Sequence, residues 1–148
     1  MHILEMDVQL TLDKKVVVHH DGSLLRITGV DRKVSEMDYE DLPPLLDVIS
    51  GPFPGQSYTK KPGIDDGKIP LLREVFEVSQ NIPINIDLKG GDAELMFEVY
   101  KLIVEYKRED ITYFGDMNEK RNVRAQEMGK DVGIRTFASI GYTFWTVI

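Results

Sequence analysis

Cysteine is absent from the 148 residues, and tryptophan occurs once. Without cysteine the chain forms no disulfide, offers no zinc-thiolate site and has no thiol nucleophile. Basic residues are outnumbered as well, since 18 Lys and Arg stand against 25 Asp and Glu, for a net charge of −7. An acidic chain without a basic cluster repels nucleic-acid phosphates, so we do not expect nucleic acid as a partner.

Long apolar runs are also missing. No stretch approaches the ~20 apolar residues that a helix needs to cross a bilayer, and the chain opens on a strand pattern rather than on a signal peptide. We therefore predict neither a transmembrane segment nor a signal peptide in these residues. Hydrophobic residues make up 42% of the chain, which is enough for one ordinary folded domain.

Two strands with polar side chains on one face are predicted near the start of the chain. Residues 4–11 alternate strictly between apolar and polar, so Glu5 and Asp7 share a face. After a short turn, residues 16–20 form a second apolar strand, and its inward face carries His20 at the end. Polar groups at these positions are unusual for buried strands and indicate that they belong to an active site.

The middle of the chain is rich in proline and glycine. Six of the seven prolines lie between Pro43 and Pro70, together with four glycines. Because proline breaks helices and central strands, we predict a surface insert at about 43–70. Loops of this length are usually functional or mobile.

Helices and strands alternate in the second half. The pattern predicts helices at 71–81, 93–107 (capped by Asp92) and 118–130 (closed by Gly129), and strands at 84–89, 111–115 and 134–139. Such alternation indicates βαβ units and a parallel sheet. No glycine-rich phosphate loop follows a strand, which argues against a dinucleotide-binding fold.

The polar strand faces suggest one site at the carboxyl ends of barrel strands. There the chain would gather three carboxylates, an imidazole and an ammonium, from Glu5, Asp7, Asp87, His20 and Lys89. Convergent carboxylates need a cation, and hard oxygen ligands suit Mg²⁺ or Ca²⁺. Each residue also has a structural interpretation, as a solvated carboxylate, a satisfied strand-end histidine or a surface lysine. His19, on the opposite face, is predicted to be structural.

Residues 4–29 resemble the second and third strands of the glycerophosphodiester phosphodiesterase family. The family pattern is an E-x-D pair, a turn, V-V-x-H-D and a Leu/Arg/Thr/Gly run, which this chain matches at Glu5, Asp7, His20, Asp21, Leu25, Arg26, Thr28 and Gly29. Residues 69–77 look like the next family helix and residues 84–89 like the following strand. There Asp87 stands where the family often has Glu, and Lys89 is retained. The sequence of that strand, I-N-I-D-L-K, and the proline-rich insert resemble those of the lysophospholipase D branch of the family.

The resemblance implies a partial TIM (β/α)₈ barrel of the phospholipase C-like phosphodiesterase type, with about five of the eight strands, as one incomplete domain over residues 1–148. It implies hydrolysis of glycerophosphodiesters or lysophospholipids with a divalent cation, Mg²⁺ or Ca²⁺. Glu5, Asp7 and Asp87 would hold the metal, and His20 would be the general acid/base, since imidazole titrates near neutral pH. Lys89 would contact a phosphate oxygen or the metal shell. Asp21 would either orient His20 or satisfy backbone amides.

Two motifs of the family's first strand, H-R-G and E-N-T, do not occur in the sequence. Because a complete barrel takes ~250 residues, we expect a truncated chain whose full-length form is associated with membranes of the endoplasmic reticulum or cytoplasm. The sequence names no protein partner. Two alternatives stay open: a non-catalytic truncated product of such a gene, and another metal-dependent TIM-barrel enzyme, such as a sugar isomerase, which would fit the carboxylates but not the H-D and L-R-x-T-G run.

Overall fold

The computed structural model describes residues 3–51, 54–90 and 93–137. Its elements, in chain order, are β1 (Leu4–Leu10), β2 (Val16–Val18), α1 (Leu25–Thr28), β3 (Val48–Ser50), β4 (Ser57–Thr59), α2 (Leu72–Val78), β5 (Ile84–Leu88), α3 (Ala93–Glu105), β6 (Thr112–Gly115) and α4 (Glu119–Lys130). Short 3₁₀ turns lie at Val34–Glu36 and Tyr39–Asp41.

The central sheet has the strand order β2–β1–β5–β6 and does not close on itself within the described residues. Strand β1 is parallel to β5, and β5 is parallel to β6, as expected for βαβ units. The mixed α/β architecture with an open sheet agrees with the predicted partial barrel. The single-domain assignment for residues 1–148 remains a prediction.

Strand β2 departs from the predicted parallel arrangement, because it runs antiparallel to β1. The reason is geometric: only residues 11–15 connect the two strands, whereas a parallel connection needs a dozen or more residues. Strand β2 also ends at Val18 rather than at residue 20. His20 therefore lies on the loop after a hairpin strand and not at the end of a parallel barrel strand.

Three other predictions also need adjustment. Helices α2 and α3 end at Val78 and Glu105, earlier than predicted. Gly129 does not close α4, which continues to Lys130; it is buried in the helix, where an added Cβ would lie 2.8 Å from the carbonyl oxygen of Ile134. Of the strand predicted at 134–139, the described part shows only a bridge between Tyr113 and Arg135. The predicted Asp92 cap lies outside the described residues.

Two hydrophobic clusters hold the fold together. The larger lies between the sheet and helices α2 and α3, and its fully buried members include Val8, Leu72, Phe76, Ile84, Ile86, Val99, Ile103 and Phe114. The smaller lies under the insert and is formed by Val17, Leu24, Ile27, Val34, Ile69 and Leu71. This second cluster joins the insert to the edge of the sheet.

The insert has a structure of its own. Strands β3 and β4 form an antiparallel hairpin in which Val48 pairs with Thr59, and the backbone nitrogen of Leu46 donates to Ile27 at 2.9 Å. In the described ranges no helix combines the length and the apolar character needed to cross a membrane.

Candidate active site

The register of the parallel strands brings the predicted carboxylates together. Asp7 of β1 lies directly opposite Asp87 of β5, and Glu5 lies opposite Asn85. Because paired positions on neighbouring strands point to the same face, all three carboxylates project from one face of the sheet. This is the convergence that the alternating patterns of the two strands predict.

The Lys89 ammonium bridges two of these carboxylates. Its Nζ lies 3.0 Å from Asp7 Oδ1 and 2.5 Å from Asp87 Oδ2. Burial opposes the charge on Lys89, but the hydrogen bonds to Asp87 and Asp7 outweigh it and raise the pKa of the lysine. Lys89 is thus a counter-ion to Asp7 and Asp87 in this structure, and its contact with a phosphate oxygen remains a prediction.

Glu5 is the carboxylate that Lys89 leaves uncompensated. It makes no hydrogen bond or ion pair with the described residues. Partial burial, followed by repulsion from Asp7 and Asp87, raises the pKa of Glu5, although Lys89 and His20 act in the opposite direction. One ammonium among three carboxylates leaves excess negative charge, and that excess favours a further cation.

The carboxylates of this cluster have the chemistry that a divalent cation prefers, but the positions of their side chains do not form a complete metal site. Across residues 3–51, 54–90 and 93–137, no three His, Asp or Glu side chains stand together as a ready-made metal site. The donor set consists of hard carboxylate oxygens, which suit Mg²⁺ or Ca²⁺, and Asp7 and Asp87 lie near enough to Glu5 for their charges to contribute to its raised pKa. The Lys89 ammonium occupies the space between the other two ligands.

A second group of charges orients His20. Its Nδ1 lies 2.9 Å from Asp21 Oδ1, and Arg26 Nε donates to the other oxygen of Asp21 at 2.5 Å. The hydrogen bond from Arg26 lowers the pKa of Asp21 to about 2, so this carboxylate is ionised and can only accept. The proton of a neutral His20 therefore resides on Nδ1, and Nε2 carries the free lone pair.

His20 opens onto a cleft with two of the carboxylates. The cleft has a volume of about 340 Å³ and is lined by Glu5, Asp7, His20 and Arg26, with Leu45, Ile69 and Pro70 on its apolar side. Lys89 instead lines a neighbouring cavity. The structure therefore groups His20 with Glu5 and Asp7, while Asp87 and Lys89 connect to them through Asp7.

His19 occupies a different environment from its neighbour. It is buried, its Nε2 lies 3.3 Å from the carbonyl oxygen of Ser23, and its backbone nitrogen donates to the backbone carbonyl oxygen of Asp7 at 2.9 Å. Burial lowers the pKa of His19, which keeps it neutral. These contacts are structural, in keeping with the interpretation of the sequence.

Two residues contribute to the site in ways that the sequence did not predict: Gln9, which was not singled out, and Arg26, which matches the family pattern but was given no role. Gln9 Nε2 donates to the backbone carbonyls of His19 at 3.2 Å and of Asp21 at 2.6 Å, which fixes the loop that carries His20. Its position on the polar face of β1, two residues after Asp7, was the available signal. Arg26 also donates to the carbonyl of Ser50 at 2.7 Å, a link to the insert that no local pattern reveals.

The open, mostly parallel sheet with its convergent carboxylates, and the imidazole hydrogen-bonded to Asp21 beside it, form a candidate acid/base site on part of a barrel. A comparison with known proteins then identifies the family. The model of the glycerophosphoryl diester phosphodiesterase family matches residues 1–142, and the chain belongs to this family.

Individual relatives agree with this assignment. The mouse protein named lysophospholipase D GDPD1 is 41% identical over 132 residues, which cover 89% of this chain and 41% of the relative. Human lysophospholipase D GDPD3 is 30% identical over 146 residues, covering 99% of this chain and 44% of the relative. The chain thus spans less than half the length of these curated relatives.

A solved structure has the same fold. The glycerophosphoryl diester phosphodiesterase domain of a Mycobacterium tuberculosis protein superimposes with a TM-score of 0.69 at 15% identity, over 95% of this chain and 50% of that domain's chain. At this identity the likeness concerns the fold alone, and it confirms the predicted architecture.

Proposed function

We propose that the chain provides part of the active site of a phosphodiesterase that acts on glycerophosphodiesters and lysophospholipids, releasing the head-group alcohol. One observation carries the proposal: Asp21 Oδ1 lies 2.9 Å from Nδ1 of His20, and His20 lines a cleft together with Glu5 and Asp7. Family membership and the lysophospholipase D relatives support this class of reaction and substrate.

His20 would move protons in the reaction. Hydrolysis breaks one P–O bond, transfers hydroxide to phosphorus and leaves a proton for the departing alcohol. A neutral His20 can accept a proton at Nε2 from the attacking water, and a protonated His20 can donate from the same atom. Asp21 would keep the His20 ring in one tautomer and stabilise its protonated form, which a histidine that accepts and then donates a proton requires.

Glu5, Asp7 and Asp87 would hold a divalent cation, Mg²⁺ or Ca²⁺, which when bound supplies positive charge for the phosphodiester oxygens. Lys89 would offset the repulsion between Asp7 and Asp87 in the absence of the cation, and would remain close enough to contact a phosphate oxygen. The membrane association of a full-length form remains a prediction.

The H-R-G and E-N-T motifs are missing from these 148 residues, so a second candidate is a non-catalytic product of the same gene. The resemblance places a second acid/base histidine in H-R-G, and one positioned acid or base contributes typically ~10²–10⁴-fold. We therefore expect the isolated chain to be slower than a form with both motifs by about this factor.

The test compares two proteins: the 148-residue chain and the product of the longest transcript that contains it. Choline or ethanolamine release from a lysophospholipid is measured with Mg²⁺, with Ca²⁺ and with chelator. We expect cation-dependent release by the longer product and its loss in His20→Gln. Absence of release under every condition, or full activity of the variant, would contradict the proposal.

A further inference from the structure

The insert contains a second cavity, of about 450 Å³. Its apolar lining comes from Leu45, Leu46, Ile49, Ile64 and Pro70. The rest of the lining comes from Tyr58, Gly67 and four charged residues, Lys60, Lys68, Asp65 and Asp66, whose formal charges balance. The volume lies in the range of small-molecule sites, ~300–1,000 Å³, and we call this cavity the insert groove.

The walls of the insert groove are tied to one another. The backbone nitrogen of Leu45 donates to Gly67 at 2.8 Å, and that of Lys60 donates to Asp47 at 2.8 Å. The hydroxyl of Tyr58 donates to Asp65 at 2.6 Å. These bonds join both sides of the cavity, so its shape is set by the backbone of the insert rather than by side chains alone.

The insert groove continues into the cleft that holds His20. Leu45 and Pro70 line both spaces, so the groove lies directly beside the cleft and the two share an apolar wall. A ligand whose polar end lies against His20 would therefore place an attached apolar chain along the insert.

Apolar side chains around the insert groove remain exposed to water. Ile64 is 78% exposed and Leu46 is 40% exposed, and Tyr58 beside them is also exposed. Exposed apolar groups that gather around a concave surface are typical of binding sites. Because the edge charges balance, neither a cationic nor an anionic ligand is favoured there, and the groove suits a neutral, linear hydrocarbon.

We infer that the insert groove binds the single acyl chain of a lysophospholipid whose phosphate lies in the cleft beside His20; this inference rests on the proposed function. Burial of one methylene contributes about fourfold in affinity at ~0.8 kcal/mol. Affinity should therefore rise with acyl length by up to about fourfold per methylene, and should level off when the groove is full.

Binding is measured on the 148-residue chain with lysophosphatidylcholines of increasing acyl length, each below its critical micelle concentration. The test variant is the double substitution Leu46→Ser with Ile64→Ser. A matched control, Val78→Ser with Ile82→Ser, removes two aliphatic side chains of similar exposure, 85% and 40%, outside the groove. We expect the length dependence to flatten in the test variant and to stay unchanged in the control.

A second readout locates the chain without relying on turnover. A lysophospholipid with a nitroxide at the end of its acyl chain should broaden the methyl NMR signals of Ile49 and Ile64, and should spare those of Ile84 and Ile103 in the main core. Broadening without hydrolysis would support the acyl site while the proposed function failed. Hydrolysis with no selective broadening and no length dependence would overturn the acyl site alone.

Membrane adsorption is the competing outcome of this test. Vesicles of phosphatidylcholine without lysophospholipid serve as the probe. If the parent chain binds these vesicles and the test variant loses that binding, while acyl length has no effect on monomeric ligands, the insert groove meets a lipid surface and the inference is wrong.

Discussion

Replacing Lys89 with methionine tests whether the carboxylate cluster needs a cation. The Lys89 side chain is 30% exposed, while those of Asp7 and Asp87 are 17% and 11% exposed. Both carboxylate oxygens contact the same ammonium, so they lie at most about 5.5 Å apart. At that separation two negative charges repel by about 3 kcal/mol at an effective dielectric constant of about 20.

Lys89→Met removes the attraction that offsets this repulsion, and we expect it to reduce the free energy of unfolding by about 3 kcal/mol, the lower end of the cost of breaking a buried pair. For a chain of this size that corresponds to a fall of about 6–12 °C in Tm. Without its ammonium, the cluster should also respond more strongly to an added divalent cation.

Thermal unfolding in chelator, Mg²⁺ and Ca²⁺ measures both effects. Mg²⁺ or Ca²⁺ should restore more of the lost Tm in Lys89→Met than it adds to the parent, because the variant has no ammonium to displace. The control is Lys101→Met, which breaks an exposed helical pair with Glu98 and should cost less than about 1 kcal/mol. Equal Tm values for the Lys89 and Lys101 variants would refute the reasoning.

Three further predictions concern stability. Asp21→Asn should reduce the free energy of unfolding by about 1 kcal/mol above pH ~4. Because Arg26 depresses the pKa of Asp21, the stabilisation is lost when Asp21 is protonated, and the difference between variant and parent should vanish as the pH falls toward 2. Urea unfolding at stepped pH measures this difference. Arg108→Met should cost about 3 kcal/mol by urea unfolding, since the buried guanidinium donates to three backbone carbonyls that follow α2; a change below ~1 kcal/mol would be inconsistent with this role. Gly129→Ala should cost about 1–3 kcal/mol, whereas Gly22→Ala, with open space around its Cβ, should be nearly neutral; equal Tm values would contradict the packing argument.

Local patterns were sufficient for the carboxylate face. Alternation predicted that Glu5 and Asp7 share one face of β1 and that Asp87 lies on one face of β5. The parallel register then places Asp7 directly opposite Asp87. The resemblance in the V-V-x-H-D motif led to His20, and the structure adds that Asp21 is hydrogen-bonded to its ring. These features depend on side-chain period and on adjacent residues, which a sequence displays directly.

Long-range partners were not predictable in the same way. The bond between Arg26 and the Ser50 carbonyl spans 24 residues, and the bridge from Lys89 to Asp7 joins the residue that follows β5 to β1. The antiparallel direction of β2 could have been predicted from its short connection. The hairpin in the insert could not, because prolines mark only where regular structure is unfavourable and not which segments pair.

Arg26 connects the Asp21 carboxylate, which supports His20, to the insert. Replacing Arg26 therefore tests whether this connection matters beyond its local effect at His20. Its Nε donates to Asp21 and its Nη1 donates to the Ser50 carbonyl of β3, so one planar guanidinium orients the imidazole support and fixes the insert. Lysine keeps the charge but cannot form both bonds in this geometry. Arg26→Lys should therefore lower head-group release by about 10-fold or more and also weaken the dependence of binding on acyl length, whereas Asp21→Asn should affect release and leave the length dependence intact. Steady-state release of the head group and the binding series with increasing acyl length, both measured on the two variants, distinguish these roles. If the length dependence survives in Arg26→Lys, the insert is held by its packing on Ile27 and Ile69 and not by the bond from Arg26.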